Sequence, residues 1–121
     1  MLAALEESAL PRAVLSNKPH EFTCVTVEKI LSGFSFDVVR GAMPSMPRKP
    51  DPAAALQIAK QLQVPPGNIL YLGDTNTDMQ TANAAGMFAA GALWGFRTAD
   101  ELLGSGAKVL LEEPLDVLSL L

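Results

Sequence analysis

Short apolar runs alternate with helical patterns from one end of the chain to the other, and this alternation restricts the fold more than any other feature. Ala13-Val14-Leu15, Phe36 to Val39, Ile69 to Leu72, Phe88 to Trp94 and Lys108 to Leu111 read as short strands. Between them lie helical patterns. His20 to Leu31 carries Phe22, Val25, Val27, Ile30 and Leu31 at imperfect helical spacing and closes at Ser32-Gly33, with Pro19 in its first turn. Asp51-Pro52 can cap and open a helix to about Gln63, with Leu56, Ala59 and Leu62 on one face and Val64-Pro65-Pro66-Gly67 ending it. Thr75 to Ala85 places Met79, Ala82 and Ala85 for close packing before Gly86. Thr98-x-x-Glu101 is a capping box for a short helix ended by Gly104, and Pro114 to Leu121 predicts a last helix. Strands separated by helices imply parallel β-α-β units with right-handed crossovers, and continuous apolar runs imply burial on both faces.

A chain of 121 residues with 49% hydrophobic and 18% charged residues has the size and composition of one folded domain. Its 9 basic and 13 acidic residues give a net charge of −4 with no basic run, so nothing resembles a nucleic-acid-binding face. An anionic substrate would have to be held by local cations. Cys24 is the only cysteine, which excludes an internal disulfide and a cysteine-rich metal site, and reads as a buried thiol in a reducing compartment. No apolar stretch approaches the roughly 20 residues of a membrane span, and no basic region with an apolar signal core opens the chain, so a cytoplasmic protein is expected.

Gly73-Asp74-Thr75-Asn76-Thr77-Asp78 follows the strand pattern Ile69 to Leu72 and precedes a helical one. Two carboxylates therefore fall where a buried strand gives way to a helix N-terminus, the edge at which doubly wound α/β sheets bind ligands. A hard cation such as Mg²⁺ takes oxygen ligands of this kind. Thr75-x-x-Asp78 equally fits a capping box, with Asp78 offsetting the helix macrodipole. The segment Gly41 to Pro50 holds three prolines in ten residues and predicts a loop that delivers Lys49 to a helix start. Ser16 and Asn17, Lys49, and Asp74 with Asp78 thus share one predicted edge. A hydroxyl or amide, an ammonium and a metal-holding carboxylate together suit phosphoryl transfer.

Val14-Leu15-Ser16-Asn17-Lys18-Pro19, Lys49-Pro50-Asp51-Pro52 and Tyr71-Leu72-Gly73-Asp74-Thr75-Asn76-Thr77-Asp78-Met79 resemble, in order and spacing, the second, third and fourth motifs of the haloacid dehalogenase superfamily. Ala84-Ala85-Gly86-Met87 and Leu93-Trp94-Gly95-Phe96-Arg97 resemble its phosphoglycolate phosphatase branch, and the similarity covers nearly the whole chain. The resemblance implies a Rossmann-like three-layer α/β sandwich with a mostly parallel sheet. It implies that Ser16 binds the transferring phosphoryl group and that Lys49 neutralises that group and the nucleophile. Asp74 would ligate Mg²⁺, Asp78 would support the metal site, and Asn17 would be a neighbouring substrate-binding residue. The substrate would be a small phosphorylated metabolite, hydrolysed through an aspartyl-phosphate.

In that family the nucleophile and the general acid and base come from an Asp-x-Asp motif after the first strand, and this chain has no Asp-x-Asp. Its first aspartate, Asp37, lies downstream of Ser16 and cannot fill the role by order. Met1 to Leu5 resembles the helix just beyond the family's cap domain, entered partway. The 121 residues are accordingly expected to be the C-terminal part of a core domain, without cap or first strand, and inactive alone. That strand lies centrally in the family's sheet, between the strands Ala13 to Asn17 and Ile69 to Asp74. Those two strands would pair directly, or another chain would fill the gap, or the sequence is part of a longer protein; the last is favoured, with self-association through exposed edges. A non-catalytic binding or assembly module, and a mutase or phosphonate-cleaving relative, are the alternative readings.

Overall fold

The computed structural model describes residues 10–30, 36–95 and 97–120. They run β1 (Ala13–Pro19), α1 (His20–Ile30), β2 (Val38–Ala42), α2 (Ala53–Leu62), a 3-10 turn (Pro66–Asn68), β3 (Leu70–Gly73), α3 (Asn76–Ala84), β4 (Phe88–Ala92), α4 (Ala99–Gly104), β5 (Val109–Leu111) and a closing 3-10 segment (Pro114–Leu120). Every strand pairing is parallel, as continuous apolar runs joined by helices require. The class is α/β. The pairings form a two-stranded sheet, β1-β2, and a three-stranded sheet in the order β3-β4-β5. Among the described residues no ladder joins β1 to β3, so the direct pairing considered for these strands is not the arrangement adopted.

Three elements differ from the sequence patterns for identifiable reasons. Pro19 ends β1 instead of opening α1, because it sits opposite Ala42 at the end of the β1-β2 ladder. That same pairing keeps Gly41 and Ala42 extended and moves β2 to Val38–Ala42, past the end expected at Val39. The last segment is a 3-10 helix rather than an α-helix. Met1 to Leu5 and the Ser32-Gly33 end foreseen for the first helix lie outside the described residues.

Caps and turns behave as their residues dictate. Thr98 and Glu101 complete both halves of a capping box at α4. Thr75 caps α3 by accepting the Asp78 N–H at 3.1 Å. Asp51 accepts the Ala53 N–H at 2.9 Å ahead of α2, although the residue in the cap position is Pro52. At the N-terminal ends of β1 and β2, Arg12 and Asp37 exchange two bonds: Asp37 N–H to the Arg12 carbonyl at 2.7 Å, and Arg12 N–H to the Asp37 carboxylate at 2.8 Å.

The main core sits between α2, α3, α4 and β4. Ala55, Ala59, Met79, Ala82, Ala85, Met87, Ala89 and Leu102 form it, with Leu15, Ile69 and Tyr71 packed against it. A second cluster, Ala90, Leu111 and Val117, lies with Leu70, Leu72 and Leu120. Leu15 brings β1 into contact with this core, and α2 docks on β2 through Arg40. That guanidinium is buried and hydrogen-bonds the side-chain oxygens of Gln57 and Gln61, which satisfies a charge that would otherwise be costly to remove from water.

Candidate phosphoryl-transfer site

The ladder between β1 and β2 is regular from Ala13 to Leu15 and then shifts before Pro19. A bulge of this kind re-aims side chains at a strand end, and here it takes Ser16 and Asn17 out of regular pairing. Ser16 Oγ accepts the Lys18 N–H at 3.1 Å, which leaves its own O–H to donate. The Asn17 side chain grips the backbone of Lys49 from both sides: Oδ1 accepts the Lys49 N–H at 3.0 Å and Nδ2 donates to the Lys49 carbonyl at 3.4 Å. Asn17 therefore positions the lysine, and keeps one further N–H for a ligand oxygen. Ser16, Asn17 and Lys49 line one narrow cavity with Leu15, Met43 and Arg48. It adjoins a wider one of about 350 Å³ between Pro19, Ala42, Met43, Pro44, Met46 and Arg48.

Lys49 reaches across to the other sheet. Its Nζ stands 2.7 Å from Asp78 Oδ1, both side chains being nearly removed from solvent. The second carboxylate oxygen of Asp78 accepts the Asp74 N–H at 3.2 Å, and the Tyr71 hydroxyl stands 3.5 Å from Oδ1. Burial, then the charge of Asp78 and the bond to it, push the Tyr71 pKa well above the ordinary tyrosine value, so the hydroxyl stays protonated and donates toward Asp78. The capping-box and functional readings of Thr75-x-x-Asp78 meet here. Thr75 caps Asp78 as a box requires, but the Asp78 carboxylate turns to Asp74 N and to Lys49 instead of to the N–H of its own cap residue.

Asp74 has the opposite status. Among the described residues its carboxylate has no hydrogen bond or ion pair, and a Cβ at Gly95, just past β4, would overlap it. Gly73 is similarly close to the Asp78 side chain. These glycines let two carboxylates and two strand ends crowd together, and the need for Gly95 comes from a neighbour far away in sequence. Tyr71 and Gly95 fall within the motif stretches of the sequence, which assign them no role at the site; their support of Asp78 and Asp74 comes from contacts that residue type alone does not signal.

The donor set fits Mg²⁺ as a shared ligand and no more than that. Among the described residues no group of three or more His, Cys, Asp or Glu side chains converges. Mg²⁺ commonly keeps several waters and takes one or two carboxylates plus phosphate oxygens. Asp74 offers an uncommitted carboxylate, and two residues on, Asn76 Oδ1 is buried with no hydrogen-bond partner among the described residues. Asp78, with both oxygens engaged, suits the holding of Lys49 and the support of Asp74 better than direct ligation.

The family model of haloacid dehalogenase-like hydrolases matches residues 1–92. This chain belongs to that family. A phosphoglycolate phosphatase of Escherichia coli is 30% identical over 117 residues, which is 97% of this chain and 46% of the relative. A phosphoglycolate phosphatase of Pectobacterium atrosepticum is 29% identical over 120 residues, 99% of this chain and 51% of that one. Among solved structures, a provisionally named phosphoglycolate phosphatase from Lactobacillus delbrueckii subsp. bulgaricus superposes with a TM-score of 0.89 at 34% identity, over 96% of this chain and 48% of the other. The chain thus spans about half the length of the haloacid dehalogenase-like relatives it matches. The fold shared with them is the family's Rossmann-like α/β core.

Proposed function

We propose that these residues are the C-terminal part of the core of a Mg²⁺-dependent phosphatase that hydrolyses a small phosphorylated metabolite, phosphoglycolate being the compound for which the relatives are named. The supporting observation is the Lys49–Asp78 ion pair at 2.7 Å, formed beside an uncommitted Asp74 carboxylate at the C-terminal rim of the strands. One ammonium N–H goes to Asp78, which aims Lys49, and the other two remain for phosphoryl oxygens. Ser16 donates its O–H to the same group. Asn17 fixes the lysine backbone, so that the ammonium is placed before the substrate arrives, which is where electrostatic catalysis gains most. Asp74 would hold Mg²⁺, with Asp78 supporting it; bound there, the ion would neutralise charge on the phosphoryl oxygens.

Hydrolysis in this reading passes through an aspartyl-phosphate on a nucleophile outside these residues. The sequence has no Asp-x-Asp, and the Asp37 carboxylate is spent on the Arg12 N–H at the strand ends opposite the site. The 121-residue chain alone is therefore inactive. The reading places the enzyme in the cytoplasm, acting on a small anion, and the edges of β1 and β3 that have no partner strand among the described residues favour self-association. The pure chain is tested with para-nitrophenyl phosphate and Mg²⁺, alongside calorimetric titration with inorganic phosphate. Mg²⁺-dependent phosphate binding that weakens in Lys49→Gln, without turnover, is the expected result. Robust turnover abolished by Asp74→Ala would overturn the missing nucleophile, and phosphate binding indifferent to both Mg²⁺ and Lys49 would remove the site.

A further inference from the structure

The C-terminal end of β1 holds Lys49 through Asn17, and the first residue of α1, four residues after Ser16, makes a second attachment to the same loop. His20, the first residue of α1, accepts the backbone N–H of Gly41 on Nδ1 at 3.0 Å, and its Nε2 stands 3.6 Å from Cys24 Sγ. Gly41 is buried, and a Cβ there would overlap the His20 backbone, the Thr23 hydroxyl and the Lys18 carbonyl. Gly41 belongs to the last two residues of β2, just before the proline-rich stretch that ends at Lys49. The loop is thus tied at its root by His20 and at its far end by Asn17.

A backbone N–H can only donate, so Nδ1 must be bare, and the hydrogen of the neutral ring lies on Nε2 and faces Cys24. Protonation would set an Nδ1–H against the Gly41 N–H, two donors with no acceptor between them. We propose that His20 is a positioning residue whose neutral ring pins the root of the Lys49 loop and whose protonation lets it go. The titratable groups around it leave this contact undisturbed. On α1 the ring meets Cys24, while Glu21, Glu28 and Lys29 are exposed. On β1 the titratable residue is Lys18, also exposed, and on β2 it is Arg40, whose guanidinium turns to Gln57 and Gln61 of α2. The consequence for phosphoryl transfer rests on the role given to Lys49 above; the anchoring itself does not.

Nuclear magnetic resonance on the 121-residue chain reads the anchor without any activity. In a pH titration the Gly41 amide resonance follows the His20 ring with one midpoint, and the Lys49 amide shares it. His20→Phe keeps a ring but removes the acceptor, and the Gly41 amide then exchanges about fivefold faster, the factor worth one ordinary hydrogen bond. His20→Asn supplies an oxygen acceptor near the Nδ1 position; it restores the slow exchange and abolishes the pH dependence at Gly41. A Gly41 resonance that ignores His20, a Lys49 resonance that ignores Gly41, or unchanged exchange in His20→Phe overturns the proposal. None of these readouts depends on phosphate, metal or turnover, so the anchor can fail while the phosphatase reading stands, and the reverse.

Discussion

The two sheets share parallel topology but differ in what covers them. In β3-β4-β5, four of the five β4 residues are buried, and Met79, Ala82, Ala89, Ala90 and Leu102 have no exposed surface at all. In β1-α1-β2 the buried side chains among the described residues are polar, Thr23 and Arg40, while on α1 Phe22 is largely and Val25 about half exposed. Apolar burial near 25 cal/mol per Å² is the dominant favourable term in folding, so the three-stranded unit carries most of the stability. The two-stranded unit is held by Leu15, by Arg40 on α2, and by the contacts of the candidate site. Lys49 to Asp78 is the ion pair that joins the loop after β2 to the N-terminus of α3. A site assembled across such a boundary has one rigid wall, the α3 N-terminus with Asp74 and Asp78, and one wall whose position depends on Asn17 and on the link itself.

If the link has this role, breaking it gives the largest effect. Asp78→Ala strands a nearly buried ammonium, and removal of one partner from such a pair costs about 3–5 kcal/mol. Urea denaturation followed by far-ultraviolet circular dichroism measures it. Asp78→Asn keeps the side-chain volume but only one of the two acceptor oxygens, so either Lys49 or the Asp74 N–H meets an NH₂ group, and it is expected to cost less than Asp78→Ala but not to be neutral. Equal and small costs for both would show that the two units do not lean on this contact.

Within the packed unit, Met79→Ala removes a fully buried side chain from the main core, for which about 2–5 kcal/mol is expected. The same urea melts apply. The decisive detail is the shape of the transition: a single cooperative step for the variant places both units in one folding event, whereas two steps would separate them.

Local patterns carried most of the fold because their hydrogen bonds are local. The Thr98-x-x-Glu101 box and the Thr75 cap each span three residues, and both form. What the sequence did not disclose depends on long-range pairing. The Asn17 clamp joins residues 32 apart, and nothing in the type of Asn17 tells whether its amide serves a substrate or a backbone. The shift of β2 to Ala42 is set by where Pro19 meets it, not by the apolar run Phe36 to Val39. Lys49 pairs with Asp78, while the Asp74 carboxylate lies against Gly95, three residues past the end of β4. Asp74 and Asp78 are both acidic residues at a strand end; only their neighbours in space give one a counter-ion and leave the other uncommitted.

The smallest effect is the sharpest test of the contrast between the units. Phe22 is 66% exposed on α1, in the unit with few buried apolar side chains. Truncating an exposed aromatic removes little buried area, so Phe22→Ala is expected to change stability by less than about 0.5 kcal/mol. The same substitution of a large apolar residue at Leu102, fully buried in α4, belongs to the range of about 2–5 kcal/mol. Sedimentation velocity beside the urea melts separates the two ways Phe22 could matter. A loss above 1 kcal/mol that shrinks on dilution would mean that α1 is covered by a second copy of the chain. A loss independent of concentration would mean that the β1-α1-β2 unit packs more tightly than its exposed residues indicate, and the division into one rigid and one leaning wall would then fail.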